Sequence, residues 1–515
     1  MSSVLMLSLL AALTVAAPTE PQRPRVGNGS EPAPPVTPVA DAAAAYRARL
    51  LALCAEQMAG RAAGSKGGGL AIEYLEREFV QLGLEPFGPA LRQDFLAPAA
   101  PPECGSATSL RVEVGGRQEG FAAGTDFVPF PFSPDGRFEG DVVFAGHGLV
   151  VPELGIDDFA GRDVKGRVVL VLRGGPRWRD GKAPVRAHVA QLSFAAKVQN
   201  AAARGAIAVV LVDRRGDAGT ELLASTVRAA IGSAAVPLVW VSRTAAARCL
   251  GDDWLDGAQR ALDAGQAPPP LPACATLRGE VALLRQPPRG TANVLAGVPG
   301  RDAALAREWI VVGAHHDHIG HGEFGSLGVG AEIGRLHPGA DDNASGVAAV
   351  LELARRARAA GPRRRGVVFA AFGAEELGQA GSRWFLDHLP GGAVIAAMVD
   401  LDMIGRASSS TLTVYGAGSA DCLLAAIAAA RRIDTEFPLA VRDRTSYRSD
   451  QWAFLERRVP ALLFTTGLHD QYHRPGDVPE LIEVDAALRV VAVVEQLVAG
   501  LADGARPKFV ADDGK

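Results

Sequence analysis

Residues 309–318 read WIVVGAHHDH, an apolar run that passes directly into imidazole and carboxylate side chains. The run Trp309–Gly313 is short, rich in β-branched residues and followed by polar groups, which is typical of a buried strand. In open α/β sheets, binding sites form beyond the carboxyl ends of the strands. The stretch therefore predicts a sheet edge at which His315 and Asp317 contribute to a functional site.

The second half of the chain repeats this succession of strand and helix. From Ala292 onward, short apolar runs alternate with stretches of helical spacing. Such alternation favours an α/β fold with a mostly parallel, mixed sheet sandwiched by helices. The other predicted strands are Val367–Phe372, Ala397–Leu401, Leu412–Tyr415 and Leu462–Thr465, and the predicted helices are Val347–Ala359 and Leu423–Arg431.

Four further segments place acidic or imidazole groups close to predicted strand ends. Two imidazoles together with several carboxylates form a ligand set that Zn²⁺ accepts. A site with two ions also needs a carboxylate that bridges ions about 3.5–4 Å apart. These segments, with the first, predict one metal site; they read PGADDNASG (338–346), FGAEELG (372–378), DLDMIG (400–405) and HDQYHRPGD (469–477).

Length and charge exclude other classes of protein. The chain has 515 residues, enough for two to four domains at about 150 residues each. Its 53 basic and 57 acidic residues give a net charge of −4, so no basic excess is available for nucleic acid or anionic lipid. We therefore expect no nucleic-acid partner.

The N-terminus has the features of an export signal. The apolar run Val4–Ala17 ends in small residues and is shorter than the roughly 20 residues that span a bilayer. Residues 1–17 are therefore predicted to be a signal peptide. The Pro-rich residues 18–40 are expected to form an extended linker. This organisation predicts a secreted or periplasmic protein without stable membrane insertion.

Between the linker and the site lies a stretch of different texture. Its apolar runs are separated by turns that contain Gly and Pro, which is typical of buried strands. We predict that it is a β-rich insert at residues 125–285, interrupting one domain formed by residues 41–124 and 286–502, with a tail at 503–515. Within these segments we expect helices at Asp41–Leu53 and Leu70–Leu82 and strands in Val168–Leu172, Ala206–Val212 and Val236–Val241.

The five cysteines show no metal-binding pattern, because none lies in a Cys-x-x-Cys or Cys/His motif. In an exported protein Cys54 could pair with Cys104, and Cys249 with Cys274. The sequence alone does not fix this connectivity.

In combination, the five segments resemble the co-catalytic zinc aminopeptidase family, which also contains glutamate carboxypeptidases and the transferrin-receptor ectodomain. The resemblance covers roughly Gly60 to Leu501 and includes a Gly-Arg…Gly-Ser turn at residues 60–65. The insert at residues 125–285 is similar to the protease-associated (PA) domain of many members. The resemblance implies a zinc exopeptidase fold, two Zn²⁺ ions as cofactors and peptides as substrates.

The resemblance also implies a set of metal ligands. His315 and Asp402 would hold one zinc ion, and Glu376 and His473 would hold the other. Asp342 would bridge the two ions.

Three further residues match catalytic positions of the family. Asp317 would orient the imidazole of His315. Glu375 would act as the general base, taking a proton from water and passing it to the leaving amine. Tyr447 corresponds to a tyrosine that stabilises the oxyanion in some members.

The remaining histidines of this region have no matching ligand role. We expect rim or surface positions for most of them, and a supporting or substrate contact is open for His469. The histidines expected at the rim or surface are His316, His318, His321, His337 and His388.

Three alternatives compete with an aminopeptidase. A carboxypeptidase could use Arg406 or Arg448 to bind the substrate carboxylate, although either arginine could equally form a structural ion pair. An inactive, receptor-like protein would have lost ligands, whereas this chain keeps the full set. In the dimetal aminoacylase and carboxypeptidase family the extra domain follows most ligands, whereas here the insert precedes His315.

Overall fold

The computed structural model describes residues 42–99, 102–175, 193–214, 234–322, 324–328, 330–332, 334–444 and 449–511. The predicted signal peptide and linker lie outside these ranges. Within them, no helix is both long enough and apolar enough to cross a membrane.

The larger sheet of the described residues has nine strands and forms the core of the domain that bears the candidate site. Its four central strands run parallel, and antiparallel strands flank them. The predicted mixed, mostly parallel sheet is confirmed. Its order is Glu85–Pro86, Arg289–Val298, Gly366–Phe372, Glu308–His315, Val394–Leu401, Ala461–Thr465, Leu412–Tyr415 and Leu439–Arg442, with Arg92–Ala97 paired to Arg289–Val298.

Helices cover both faces of this sheet. Successive side chains of each strand point to opposite sides, and apolar residues on both sides pack against helices. Ile310 and Val312 pack with one apolar cluster, whereas Val311 between them packs with another. The first face carries Ala42–Leu53, Lys66–Gln81, Gly346–Ala360, Leu423–Ala430 and Val484–Asp503, and the second carries Ala380–Asp387 and Gln451–Glu456.

One helix begins earlier than its spacing predicts. Three glycines at residues 67–69 precede the apolar pattern from which a start at Leu70 was expected. The helix begins at Lys66 because the Ser65 side chain accepts a hydrogen bond from the Gly68 amide, which caps the N-terminus.

The insert forms a separate sheet of eight strands. Its strands Val168–Leu172, Ala208–Val212 and Leu238–Val241 are continuously apolar, as predicted, and they run parallel to one another. The helices Phe194–Ala202, Arg243–Leu250 and Asp252–Asp263 accompany them. The order is Arg117–Phe121, Ser109–Val114, Ala275–Val281, Gly136–Phe144, Val168–Leu172, Ala208–Val212, Leu238–Val241 and Phe127–Pro129, and two short pairs join Glu103–Cys104 to Leu283–Leu284 and Val150–Val151 to Ile156–Asp157.

The predicted start of the insert at residue 125 is too late. Ser109–Val114 pairs along its length with Ala275–Val281, and Arg117–Phe121 pairs with Ser109–Val114. These two edge strands alternate exposed and more buried residues, so they lack the continuous apolar runs that mark the central strands. The predicted end at residue 285 falls between the last strand of this sheet and the first long strand of the other.

The cysteine pairings left open by the sequence are not formed. All five cysteines are described, and each is a free thiol.

Candidate metal centre

The five predicted ligands converge from four neighbouring parallel strands. His315 is the last residue of Glu308–His315, and Glu376 follows Gly366–Phe372. Asp402 directly follows Val394–Leu401, and His473 lies in the loop after Ala461–Thr465. Asp342 lies in the short turn Ala340–Ser345 that leads into Gly346–Ala360. The carboxyl ends of adjacent parallel strands share one sheet edge, which brings these residues together.

Each carboxylate oxygen of Asp342 faces a different histidine. Its Oδ1 lies 3.2 Å from Nε2 of His315, and its Oδ2 lies 3.2 Å from Nε2 of His473. Asp402 Oδ1 is 3.6 Å from His315 Nε2, and Glu376 Oε1 is 3.3 Å from His473 Nε2. The ligand atoms thus form two groups that share Asp342.

The electrostatics of both groups suit divalent cations. Burial alone would lower the pKa of His315 and raise that of Asp342, yet the pKa of the histidine is raised and that of the carboxyl is lowered. The cause is their close mutual contact in a site from which water is excluded. Among the described residues, Asp402 Oδ1 and His473 Nε2 are buried without a hydrogen-bond partner. A cation such as Zn²⁺ would satisfy both atoms, so the residues present fit the metal.

The second ring nitrogen of each of these two histidines is held by a backbone carbonyl. Nδ1 of His473 lies 2.7 Å from the Gly325 oxygen, and Nδ1 of His315 lies 3.1 Å from the Asp317 oxygen. These contacts direct Nε2 of each ring toward the carboxylates, and Nε2 is then the nitrogen that can bind a metal in place of its proton.

The Asp317 carboxylate does not make the contact expected of it. It lies 3.9 Å from His315 Nδ1, beyond hydrogen-bond distance, and instead accepts the amides of Glu375 at 3.0 Å and Glu376 at 3.3 Å. The strand ends at His315, and beyond it the Asp317 carbonyl, rather than its side chain, faces the ring. Asp317 thus holds the backbone of the Glu-Glu pair.

Glu375 and Glu376 present their carboxylates to different surroundings. Both are nearly fully buried, and Ala374 before them adopts a left-handed backbone with φ of 58°. Glu375 Oε1 accepts a hydrogen bond from Gln379 at 3.2 Å, whereas Glu376 Oε1 faces His473. The two adjacent carboxylates therefore have different partners.

A buried carboxylate that the sequence reasoning left without a role fixes the turn carrying Asp342. Asp477 accepts the amides of Asp341 and Asp342 at 3.0 and 3.1 Å. Asp341 Oδ1 in turn accepts from Gly405 at 2.6 Å and from Ser345 Oγ at 3.0 Å. Asp477 lies in the same quoted segment as His473, so its position close to the site was the available signal.

Arg61 connects the loop after His315 to the loop before Asp342. Its fully buried guanidinium donates to the carbonyls of His316, Leu53, Pro338 and Gly339 at 2.6–2.9 Å. The sequence identified Arg61 as part of a family turn but gave it no role.

Three histidines expected at the rim or surface are instead buried. His316 turns away from the site, where Nε2 contacts the Ala292 carbonyl at 2.9 Å and burial lowers its pKa to about 4. His337 bonds Ser326 and the Arg335 carbonyl. His318 lies inside the metal centre. The expectation was wrong for these three because the absence of a matching ligand role does not keep a side chain at the surface, whereas His321 and His388 are exposed, as expected.

His469 and Arg406 both face buried carboxylates. His469 Nε2 lies 3.3 Å from Asp341 Oδ2, so its contact is a supporting one within the protein. Arg406 lies 3.7 Å from Asp477, which favours the structural ion pair over a substrate contact. Tyr447 and Arg448 lie outside the described residues.

Comparison with known proteins divides the chain in the same way as its two sheets. Residues 293–498 match Peptidase family M28, and residues 138–249 match the PA domain. Aminopeptidase YwaD of Bacillus subtilis (strain 168) is 25% identical over 256 residues, which are 49% of this chain and 43% of that protein. The match therefore spans less than half of that relative's length.

Two solved structures align with most of the chain. The aminopeptidase from Aneurinibacillus sp. strain AM-1 aligns over 92% of this chain and 96% of its own, with a TM-score of 0.63 and 25% identity. BSAP, a zinc aminopeptidase from Bacillus subtilis, aligns over 92% and 98% with a TM-score of 0.55 and 20% identity, a likeness of fold.

Proposed function

Because residues 293–498 match Peptidase family M28 and residues 138–249 match the PA domain, we propose that this chain is a zinc-dependent aminopeptidase. The family recognised from the five sequence segments is thereby confirmed. The observation that carries the activity is Asp342, whose two oxygens each face a different histidine at 3.2 Å. A carboxylate shared in this way is what a pair of co-catalytic ions requires.

The proposed centre holds two Zn²⁺ ions. His315 and Asp402 would hold one ion, Glu376 and His473 would hold the other, and Asp342 would serve both. When bound, the ions would polarise the scissile carbonyl and lower the pKa of the attacking water. The distances of 3.2–3.6 Å between ligand atoms support this assignment.

Glu375 is proposed to move the proton of the reaction. Its carboxylate takes a proton from the attacking water and delivers it to the amine of the departing residue. Gln379 donates a hydrogen bond to Oε1 of this carboxylate and so helps to fix its orientation. Asp317 accepts a hydrogen bond from the Glu375 amide, and this contact helps to fix the backbone that carries the Glu375 carboxylate. We further propose that Tyr447 stabilises the oxyanion.

Arg406 is the candidate carboxylate-binding arginine of the carboxypeptidase alternative that lies within the described residues. A carboxypeptidase needs a cation free to bind the substrate carboxylate. Arg406 is largely buried and faces Asp477, so it is poorly placed for that task. The relatives named as aminopeptidases point the same way.

The decisive experiment compares two sets of peptides. One set has a free amino terminus, and the other is amino-blocked with a free carboxyl terminus. We expect cleavage of the first set with zinc present, loss of cleavage after chelation and recovery on adding zinc back. A preference for the blocked set would overturn the aminopeptidase assignment, and no zinc-dependent cleavage of either set would favour the receptor-like alternative.

We also propose that the chain is exported and acts on peptides outside the cytoplasm. The support is the apolar run Val4–Ala17 and the Pro-rich stretch that follows it. Fractionation of expressing cells tests this, with a variant lacking residues 1–17 as control: only the full chain should leave the cytoplasm. Retention of both in the cytoplasm would contradict export.

A further inference from the structure

His318 is a third histidine of the metal centre for which neither the family motifs nor the proposed reaction has a role. Its side chain is fully buried, and it groups with Asp342, Glu376 and His473, whose potential ligand atoms all lie within 4.8 Å of one another. Its Nδ1 lies 3.0 Å from Glu376 Oε1. The corresponding group around Asp402 and His315 contains no such additional histidine among the described residues.

The ring of His318 is held in place by its surroundings. Gly339 has a left-handed backbone with φ of 59°, and a Cβ at this position would lie only 2.5 Å from Cδ2 of His318. The ring also meets that of His473 edge-on, with centroids 5.5 Å apart. Its orientation toward Glu376 is therefore determined by packing as well as by the hydrogen bond.

Consecutive residues hold the two ends of Glu376. The Asp317 carboxylate accepts its backbone amide, and the His318 ring contacts its carboxylate. An ionised carboxylate can only accept, so the His318 Nδ1 must carry the proton in this contact. Its Nε2 is buried and makes no hydrogen bond within the described residues.

We propose that His318 is a positioning residue for one of the two metal subsites, that of Glu376 and His473. This inference rests on the proposed di-zinc centre. By donating to Oε1, His318 fixes the direction in which Glu376 presents its remaining lone pair to the ion. In the subsite of His315 and Asp402, by contrast, no group among the described residues donates a hydrogen bond to Asp402 Oδ1. Loss of His318 should therefore weaken the two subsites unequally.

The test measures zinc bound at equilibrium over a series of buffered free-zinc concentrations. We expect His318→Leu to lower the affinity for one of the two zinc ions by about 10–100-fold, the usual effect of losing a partner that orients a metal ligand. His318→Asn should largely restore binding, because its amide can donate from a position close to that of Nδ1. His321→Leu, an exposed histidine of the same loop, is the matched control and should bind as the wild type does.

Two background variants identify the affected subsite. In Asp402→Asn the remaining ion depends on Glu376 and His473, and His318→Leu should weaken it further. In His473→Asn the remaining ion depends on His315 and Asp402, and His318→Leu should leave its affinity unchanged. Circular dichroism of the metal-free proteins checks that each variant is folded.

The outcomes separate this inference from the function on which it rests. Wild-type protein that binds no zinc would overturn the proposed function. Wild type with two ions and His318→Leu with the same two affinities would overturn only the role of His318. An equal loss of affinity for both zinc ions would also overturn it. So would a zinc affinity of His318→Asn no higher than that of His318→Leu.

Discussion

At the residue scale, the proposed centre gives two adjacent carboxylates different roles: Glu376 would bind metal and Glu375 would move a proton. Glu375 and Glu376 are neighbours in the chain, yet Gln379 contacts one and His473 the other. We therefore expect Glu375→Gln to lower kcat by about 10²–10⁴-fold, because a general base is removed, while zinc content is unchanged. Kinetics with metal analysis on the same sample test this, with the exposed Glu456→Gln as control. Undiminished turnover would refute Glu375 as the base.

A second residue gives a pH dependence to the stability of the insert. Burial lowers the pKa of Lys197 to about 7, while Asp158 partly opposes this effect and Arg214 adds to it. In the unfolded chain the amine keeps its proton to about pH 10.4. Between these values the unfolded state binds more protons, so the free energy of unfolding should rise with pH.

Substitution of Lys197 tests this titration. In Lys197→Met the rise between pH 7 and 10 should be smaller than in the wild type, as measured by chemical denaturation at several pH values. Comparison of the two proteins at each pH cancels other titrating groups. Parallel profiles would show that the amine is not titrating in this range.

At the scale of elements, Arg61 connects segments that are distant in the chain. Its guanidinium binds carbonyls from the end of the first helix, from the loop after His315 and from the loop before Asp342. Each buried carbonyl left without a partner costs about 1–3 kcal/mol. We therefore expect Arg61→Met to lower the free energy of unfolding by more than about 3 kcal/mol and to weaken zinc binding.

The matched control is Arg47→Met on the exposed side of the first helix. It should change the free energy of unfolding by less than about 0.5 kcal/mol in the same denaturation experiment. Equal effects of the two substitutions would mean that the four carbonyl contacts of Arg61 add little.

The sequence predicts best the buried strands that consist of a continuous run of apolar residues. Val168–Leu172 and Leu412–Tyr415 have the predicted bounds, and the other predicted strands differ by a few residues at their ends. Val484–Asp503 was not predicted: its valines are as compatible with a strand as with a helix. Val490, Val494 and Leu501 are buried on one side of it, and packing against the rest of the core settles the helix.

The same distinction holds for the site. The acidic and imidazole residues after predicted strands indicated the five segments, and the family resemblance supplied the five ligand residues that the structure brings together. It could not identify His318, Arg61 or Asp477, because their contacts arise between loops separated by many residues. It also misread Asp317, whose carbonyl and carboxylate serve different partners.

At the scale of the whole molecule, the two sheets should respond differently to metal. The ligands come from five separate segments of one sheet edge, whereas no comparable group is found in the described part of the insert. Bound zinc stabilises only the state in which these segments are assembled. After chelation we expect faster amide exchange at residues 340–345 and 469–477, with no change at Ala208–Val212 of the insert. Hydrogen exchange read by mass spectrometry would show this, and uniform acceleration throughout the chain would contradict it.

The central claim is a pair of ions bridged by one carboxylate, and the zinc content of the purified protein tests it most directly. We predict two zinc ions per chain in the wild type after dialysis against buffered zinc. Asp342→Asn should hold fewer than two, while Asp470→Asn, in the exposed part of the His473 loop, should keep both. One ion or none in the wild type, or two ions in Asp342→Asn with unchanged affinity, would contradict the bridged centre.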